Sequence, residues 1–284
     1  MRSFHQAYHD LKAALLLLYT DHEAQTIAHE VLEWITNLSK LERLLHKEQL
    51  LSPTQTAQYD TALQQLTQGM PMQYVLGHAW FGKHRFMVNE HVLIPRPETE
   101  ELVDWILTDL LPTRHVIADV GTGSGCIAIS LYLGNPQLSI HAIDISPEAL
   151  QLAEYNAQQL QASIHWHLLD ILNIDTYGTL PMMDVIVSNP PYIPLNEYNN
   201  MAKHVVDYEP HLALFVPNHQ PLLFYEALVH FSQSNLHAGG WLYAEVEQNY
   251  AQQVAHLWQQ MGLQSVVTKK DMHGNWRMLK AQKP

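Results

Sequence analysis

Between Ser3 and Gln68 the apolar residues recur at helical spacing, Tyr8, Leu11, Leu15 and Leu18 forming one stripe and Ala28, Val31, Leu32 and Ile35 another. Asp21 is placed to cap the second helix, because its carboxylate can accept from free N–H groups at a helix start. A third helical segment spans 41–50. Ser52 as N-cap with Pro53 at the first helical position opens a fourth, reaching Gln68, and Gly69-Met70-Pro71 ends the run. The pattern predicts a small bundle of about four helices. From Gln73 the period shortens. Residues 73–76, 79–81, 85–88 and 92–94 read as short β runs separated by Gly77, Gly82 and Asn89-Glu90, which predicts a β-hairpin linking two domains.

Further on, apolar β-branched runs alternate with helical stripes. Pro95 and Pro97 stiffen the segment Ile94-Pro95-Arg96-Pro97-Glu98-Thr99-Glu100, which leads into a helix carrying Leu102, Val103, Ile106 and Leu107. That segment reads either as a rigid linker or as a lid that positions Asn189 or a substrate backbone. Strands follow at 116–120, 138–143, 164–168 and 183–187, with helices at 126–133 and 147–159. The chain closes with a helix at 221–232, a turn at Gly239-Gly240, a strand at 241–246, a helix at 250–261 and a terminal hairpin of 265–269 with 276–280. Such alternation predicts an open α/β sheet, whose ligands bind at the C-terminal strand ends.

The chemistry-bearing residues collect at those ends. Gly121-Thr122-Gly123-Ser124-Gly125 lies between a strand and a helix, where backbone can approach a ligand closely. Its spacing matches neither the dinucleotide fingerprint nor a Walker loop. Asp144 ends the second strand and is placed to accept both hydroxyls of a ribose; Asp170 ends the third, where it could meet an adenine amine. The fourth ends in Ser188-Asn189-Pro190-Pro191-Tyr192-Ile193. Two prolines stop the ladder and stiffen the turn, leaving the Asn189 side-chain carbonyl, the Pro190 main-chain carbonyl and the Tyr192 ring as two acceptors and an aromatic wall. Such a set suits a planar NH2 group.

Composition narrows the setting. The 284 residues suffice for two modest domains, and 15 Lys and Arg against 28 Asp and Glu give a formal net charge of −13, a poor match for a phosphate backbone as main partner. A single cysteine, Cys126, permits no internal disulfide or cysteine-based metal site and fits a reducing, cytoplasmic compartment. The apolar stretch 13–18 is too short to span a bilayer. Among 19 histidines, His5 and His9 share a helix face, yet no HExxH pattern or third ligand accompanies them, and no metal is assigned.

Together these residues resemble the S-adenosylmethionine-dependent methyltransferases of the Rossmann-like class, and more closely the release factor glutamine methyltransferases. The resemblance runs from about Gln73 to the end. It rests on QYVLG at 73–77, VLIPRPETE at 92–100, DVGTGSGCIAI at 119–129, Asp144, SNPPYI at 188–193, Tyr208-Glu209-Pro210 with Ala213-Leu214, Ala238-Gly239-Gly240, and Asp271 with Gly274 and Arg277. The chain departs from many members at Glu247, where they carry glycine, and at Leu169-Asp170, where they carry Gly-Asp. The resemblance implies a seven-stranded, mostly parallel sheet with an antiparallel last strand and helices on both faces. It also implies a helical substrate-side domain over 1–72, a hairpin linker over 73–95 and a methyltransferase domain over 96–284.

By the same resemblance, S-adenosyl-L-methionine is the cofactor and S-adenosyl-L-homocysteine its product. The cofactor is held by Gly121, Thr122, Gly123, Ser124, Gly125, Asp144, Asp170 and Asn189; Asn189, Pro190 and Tyr192 are catalytic, and with Pro191 they bind the substrate. The implied substrate is the glutamine of the Gly-Gly-Gln motif in class 1 peptide chain release factors, with no direct nucleic-acid or membrane partner. The alternatives are a ribosomal-protein glutamine methyltransferase or an amino-methylating enzyme of adenine or cytosine, since an exocyclic NH2 poses the same geometric problem. An IPRPETE segment favours release factors over the first; the acidic charge and lack of a target-recognition domain disfavour the second.

Overall fold

Four times in the first 55 residues a Ser or Thr is followed three positions later by Glu or Gln, and each pair starts a helix. Ser3 with Gln6 opens α1 (Phe4–Leu15), Thr20 with Glu23 opens α2 (Asp21–Thr36), Ser39 with Glu42 opens α3 (Lys40–Leu45) and Ser52 with Gln55 opens α4 (Pro53–Thr67). Thr20 rather than Asp21 is therefore the cap of α2. Its hydroxyl accepts from the Glu23 N–H while the Glu23 carboxylate accepts from the Thr20 N–H at 3.0 Å. Helix α3 stops five residues short of the predicted Leu50, because the chain beyond it pairs with the N-terminus. Phe4 N–H donates to Gln49 O and His5 N–H to Lys47 O. Leu11, Leu15, Ala28, Val31, Leu32 and Tyr59 form the core, whereas Leu18, placed in the same stripe by its spacing, lies past the end of α1 and is exposed.

The predicted β run at 73–76 is instead a short helix, α5 (Met72–Leu76), which buries Val75 and Leu76 and ends at Gly77 with φ 72°. The structure is a computed structural model describing residues 2–110 and 115–284. It places residues up to His78, together with 202–208, in one compact unit, and 79–201 with 209–284 in another.

Strands β1 (His78–Phe81) and β2 (His84–Met87) form the predicted hairpin, turning at Gly82. Val92 to Ile94 form no strand; the Ile94 N–H donates to the buried Glu209 carboxylate instead of a ladder. Then come α6 (Pro97–Asp109), β3 (Val116–Val120), α7 (Cys126–Gly134), β4 (Ser139–Asp144), α8 (Pro147–Gln159), β5 (Ile164–Leu168) and β6 (Met183–Ser188). A two-residue strand β7 (Ile193–Pro194) pairs with β8 (Phe215–Val216), and α9 (Lys203–Val206) lies between them in sequence. The remainder is α10 (Leu223–Asn235), β9 (Leu236–Glu245), α11 (Ala251–Gln260), β10 (Gln264–Lys270) and β11 (Trp276–Gln282).

Seven strands make one sheet in the order β10-β11-β9-β6-β3-β4-β5, parallel from β9 to β5, with the last strand β11 antiparallel to both neighbours. This is the Rossmann-like arrangement that the resemblance implies. Ala118 and Val120 of β3 bury on the face covered by α10 and α11, and Ile117 on the face covered by α6 and α7, so the strand is apolar throughout, as a doubly covered strand must be. Strand β9 begins earlier than the glycine turn suggested. Leu236 pairs with Met183 and Trp241 with Val185, so the glycines loop out within it; at Gly240 a Cβ would lie 2.9 Å from Asp184 O. From β3 the chain moves one way to β4 and β5, then returns to β6 on the other side. The switch point lies between β3 and β6, where an open sheet leaves a crevice.

Two buried polar groups fix the walls of that crevice. Asn156 on α8 donates to Met87 O and Ser124 O and accepts from the Met87 N–H at 2.7 Å, tying hairpin, glycine loop and helix together. Asp119, fully buried on β3, accepts from the Thr122 hydroxyl at 2.6 Å and the Ala128 N–H at 3.1 Å. Its second oxygen has no hydrogen-bond partner among the described residues, and burial pushes its pKa from 3.8 up to about 7.

Asn156→Leu leaves three backbone groups without partners and is expected to lower stability by about 3 kcal/mol, read by urea denaturation. Between about pH 4 and 7 the native Asp119 retains a proton that the unfolded chain has released, so its contribution to stability is lost as pH rises through that window. Asp119→Asn is expected to flatten the fall of Tm over that range; an unchanged slope would show that Asp119 folds already ionised.

Candidate active site

The crevice at the switch point is lined by Gly121, Thr122, Gly123, Ser124, Asp144, Asp170, Asn189, Pro190 and Pro191, all singled out by sequence, together with Pro95, Arg96 and Thr99. Two residues from the predicted set do not line it. Gly125 stands behind as the N-cap of α7 with φ 81°, where a Cβ would meet Ile129 at 2.9 Å and Ala153 at 3.1 Å. Tyr192 turns its hydroxyl to the Glu245 carboxylate at 3.3 Å. Gly125 is thus required for close packing of the helix behind the loop, not for contact across the crevice.

Gly121 and Gly123 have φ of 72° and 54°, and a Cβ on either would meet nothing within 4 Å, so the loop presents bare backbone to open space. The loop is fastened from below. Gly121 and Thr122 N–H groups both donate to Ile143 O, and the Gly123 N–H donates to Asp144 Oδ2 at 2.9 Å. Asp144 Oδ1 accepts from the Ser146 N–H, so each carboxylate oxygen is oriented by one backbone donor and keeps a further lone pair. Burial raises its pKa. Asp170 Oδ1 accepts from the Leu172 N–H at 2.8 Å. Ser124 Oγ is buried without a hydrogen-bond partner in the structure.

The departures at Leu169 and Glu247 leave the local backbone ordinary, since neither residue has positive φ. Leu169 lines the crevice and its N–H donates to Asp144 O; Glu247 accepts from the Asn249 N–H at 2.7 Å.

The Asn189 side chain is set by a relay that sequence reasoning did not find. Asn189 Nδ2 donates to Thr99 Oγ1 at 3.2 Å, and the Thr99 hydroxyl donates to Glu245 Oε2 at 2.6 Å. With its NH2 occupied there, the amide leaves Oδ1 as the group available to the crevice. Glu245 is buried, which raises its pKa, opposed by the Thr99 and Tyr192 hydroxyls and the Arg277 charge. Thr99 belongs to the IPRPETE segment, and of the two readings of that segment the relay matches the one that positions Asn189. The segment is anchored in turn by Glu209, which accepts from the Ile94 N–H at 3.1 Å and from Arg96 Nη2 at 2.7 Å. Motif content marked Thr99 and Glu209, but only the fold pairs them with Asn189 and Arg96.

Comparison with known proteins identifies relatives along nearly the whole chain. Residues 99–207 match the family model of the methyltransferase small domain, and residues 6–77 that of the PrmC N-terminal domain. A release factor glutamine methyltransferase of Flavobacterium psychrophilum is 39% identical over 94% of this chain and 94% of its own. One from Bacteroides thetaiotaomicron is 36% identical over 96% of this chain and 98% of its own. Among solved structures, a methyltransferase from Pyrococcus furiosus is similar in fold, with a TM-score of 0.50, 17% identity, and 82% of this chain and 99% of that one covered. On sequence similarity along nearly its whole length, the chain belongs to the release factor glutamine methyltransferase family.

Proposed function

We infer that this chain transfers a methyl group from S-adenosyl-L-methionine to the side-chain amide nitrogen of the glutamine in the Gly-Gly-Gln motif of class 1 peptide chain release factors. One observation carries the reading. Asn189 is held by Thr99 with its carbonyl oxygen left for a substrate NH2, in a crevice shared with a bare glycine loop and the Asp144 carboxylate. The residues present fit the cofactor: open space over the bare backbone of Gly121 and Gly123, and the Asp144 carboxylate at the end of β4 with lone pairs to spare. Gly121 to Ser124, Asp144 and Asp170 would hold it, with Gly125 supporting the loop from behind. When bound, it supplies an electrophilic methyl carbon on a sulfonium.

The chain's own residues then have mainly to position the substrate, because an amide nitrogen is a poor nucleophile with a delocalised lone pair. Asn189 Oδ1 and the Pro190 carbonyl each accept one amide N–H, which fixes the nitrogen's orientation. Ordering of this kind can supply about 7 kcal/mol of the barrier. The two acceptors also stabilise positive charge developing on nitrogen, and being fixed beforehand they need no reorganisation. Tyr192, its hydroxyl held at Glu245, stiffens the turn with Pro191 from behind the crevice. No side-chain general base is required, since the methylated nitrogen is acidic enough to shed its proton to water. Residues 1–72 act as the substrate-side domain, and 73–95, which include the hairpin β1–β2, lead to the methyltransferase domain, 96–284; the compartment is the cytoplasm. Among the described residues no helix is long and apolar enough to cross a membrane.

Label from S-adenosylmethionine is expected on a purified class 1 release factor, and not on the same factor with its Gly-Gly-Gln glutamine replaced. Label on ribosomal protein or DNA instead would overturn the substrate. Asn189→Ala is expected to cut kcat by about 100-fold, and near-normal turnover would remove Asn189 from the chemistry. Thr99→Val frees the Asn189 amide to turn over and is expected to cost about tenfold or more in kcat/KM, with S-adenosylhomocysteine affinity retained and activity restored in Thr99→Ser.

A further inference from the structure

A second cavity, of about 270 Å³, lies wholly within the helical unit and has a sign opposite to that of the chain. Lys40, Arg43 and Lys47 line it, with His5, His9 and His29, and no carboxylate is among the lining residues. In a chain of net charge −13 that is a marked local reversal. Lys40 and Lys47 are exposed and have no salt-bridge partner among the described residues. Arg43 is different: its side chain is 6% exposed, and its guanidinium donates to Leu38 O and to His29 O, 3.0 Å away. It also lies 3.8 Å from the exposed Glu33 carboxylate, which is outside the lining. The cation is thus fixed in place before any ligand arrives.

The histidines that share a face of α1 belong to this wall. His5 and His9 pack edge to face with ring centroids 4.3 Å apart, and Tyr8 stacks on His29 at 4.5 Å. Three neighbouring cations oppose a divalent metal here, as like charges repel at short range. They favour an anion of more than one charge. Imidazole rings add N–H donors, and a fixed guanidinium matches the oxygens of a phosphoryl group. Burial lowers the His29 pKa, and the charges of Lys40 and Arg43 lower it further, so both cations are felt at the ring.

We propose that this cavity is a binding site for a compact phosphate-bearing anion, held by Lys40, Arg43, Lys47 and the three imidazoles. The ligand is of phosphomonoester or pyrophosphate size, because the cavity is at the lower limit for small-molecule sites. The site is separate from the methyl-transfer crevice in lining and in unit.

The test is a titration of the full chain with pyrophosphate, followed by NMR of the histidine side chains, with S-adenosylhomocysteine present to occupy the crevice. Saturable shifts of the His5, His9 and His29 signals are expected, with the His29 pKa raised. In the double variant Lys40→Gln/Lys47→Gln affinity should fall by about tenfold or more, while S-adenosylhomocysteine binding and the circular dichroism spectrum stay unchanged. An equal shift from sodium chloride at matched ionic strength, full affinity in the variant, or binding of a glutamate-rich peptide but not of pyrophosphate would each overturn the proposal.

Discussion

An asparagine side chain can present either its oxygen or its nitrogen to a ligand, and the two faces differ little in shape. What distinguishes them here is a buried carboxylate. Glu245 can only accept while ionised, so the Thr99 hydroxyl donates its hydrogen bond to it and is left with lone pairs, and the Asn189 NH2 turns toward them. Burying that carboxylate is unfavourable and raises its pKa, an effect offset by two hydroxyls and the Arg277 charge. The relay joins β9, the start of α6 and the end of β6, so the strand order of the sheet and the orientation of one amide are the same constraint.

Much of the fold was legible because it rests on local pattern. Helix α8 and strand β5 run over the predicted spans, and the four strand ends carrying the glycine loop, Asp144, Asp170 and Asn189 fall where the alternation places them. Errors came where a neighbour distant in sequence decided the outcome. The segment after α3 was pulled out of a helix by pairing with the N-terminus, and 92–94 lost its ladder to the Glu209 carboxylate. Asp21 differs in kind, since the Thr20–Glu23 capping box that displaces it is local and is written in the sequence itself.

The site was legible in its residue types but not in its wiring. Thr99 and Glu245 are 146 positions apart, and no spacing rule connects a strand end with a proline-rich segment at that distance. Gly125 and Tyr192 illustrate the converse. Both sit inside strong motifs, yet the structure uses the first to let α7 approach Ala153 and ties the second to Glu245. Membership of a motif identifies a residue the local geometry needs, and that need is sometimes packing rather than contact.

The open sheet also has two rims, and its strand order decides which residues stand on them. One rim is β5, which carries His165 and His167; the other is β10, which carries Lys269 and Lys270 and pairs with β11 through two register shifts. A flat apolar rim would offer its unpaired backbone groups to another chain and seed aggregation. The irregular, lysine-bearing strand makes that recruitment unfavourable on its own rim, whereas the β5 rim leaves Leu168 63% exposed, so the two open edges of the sheet differ in what they offer another chain.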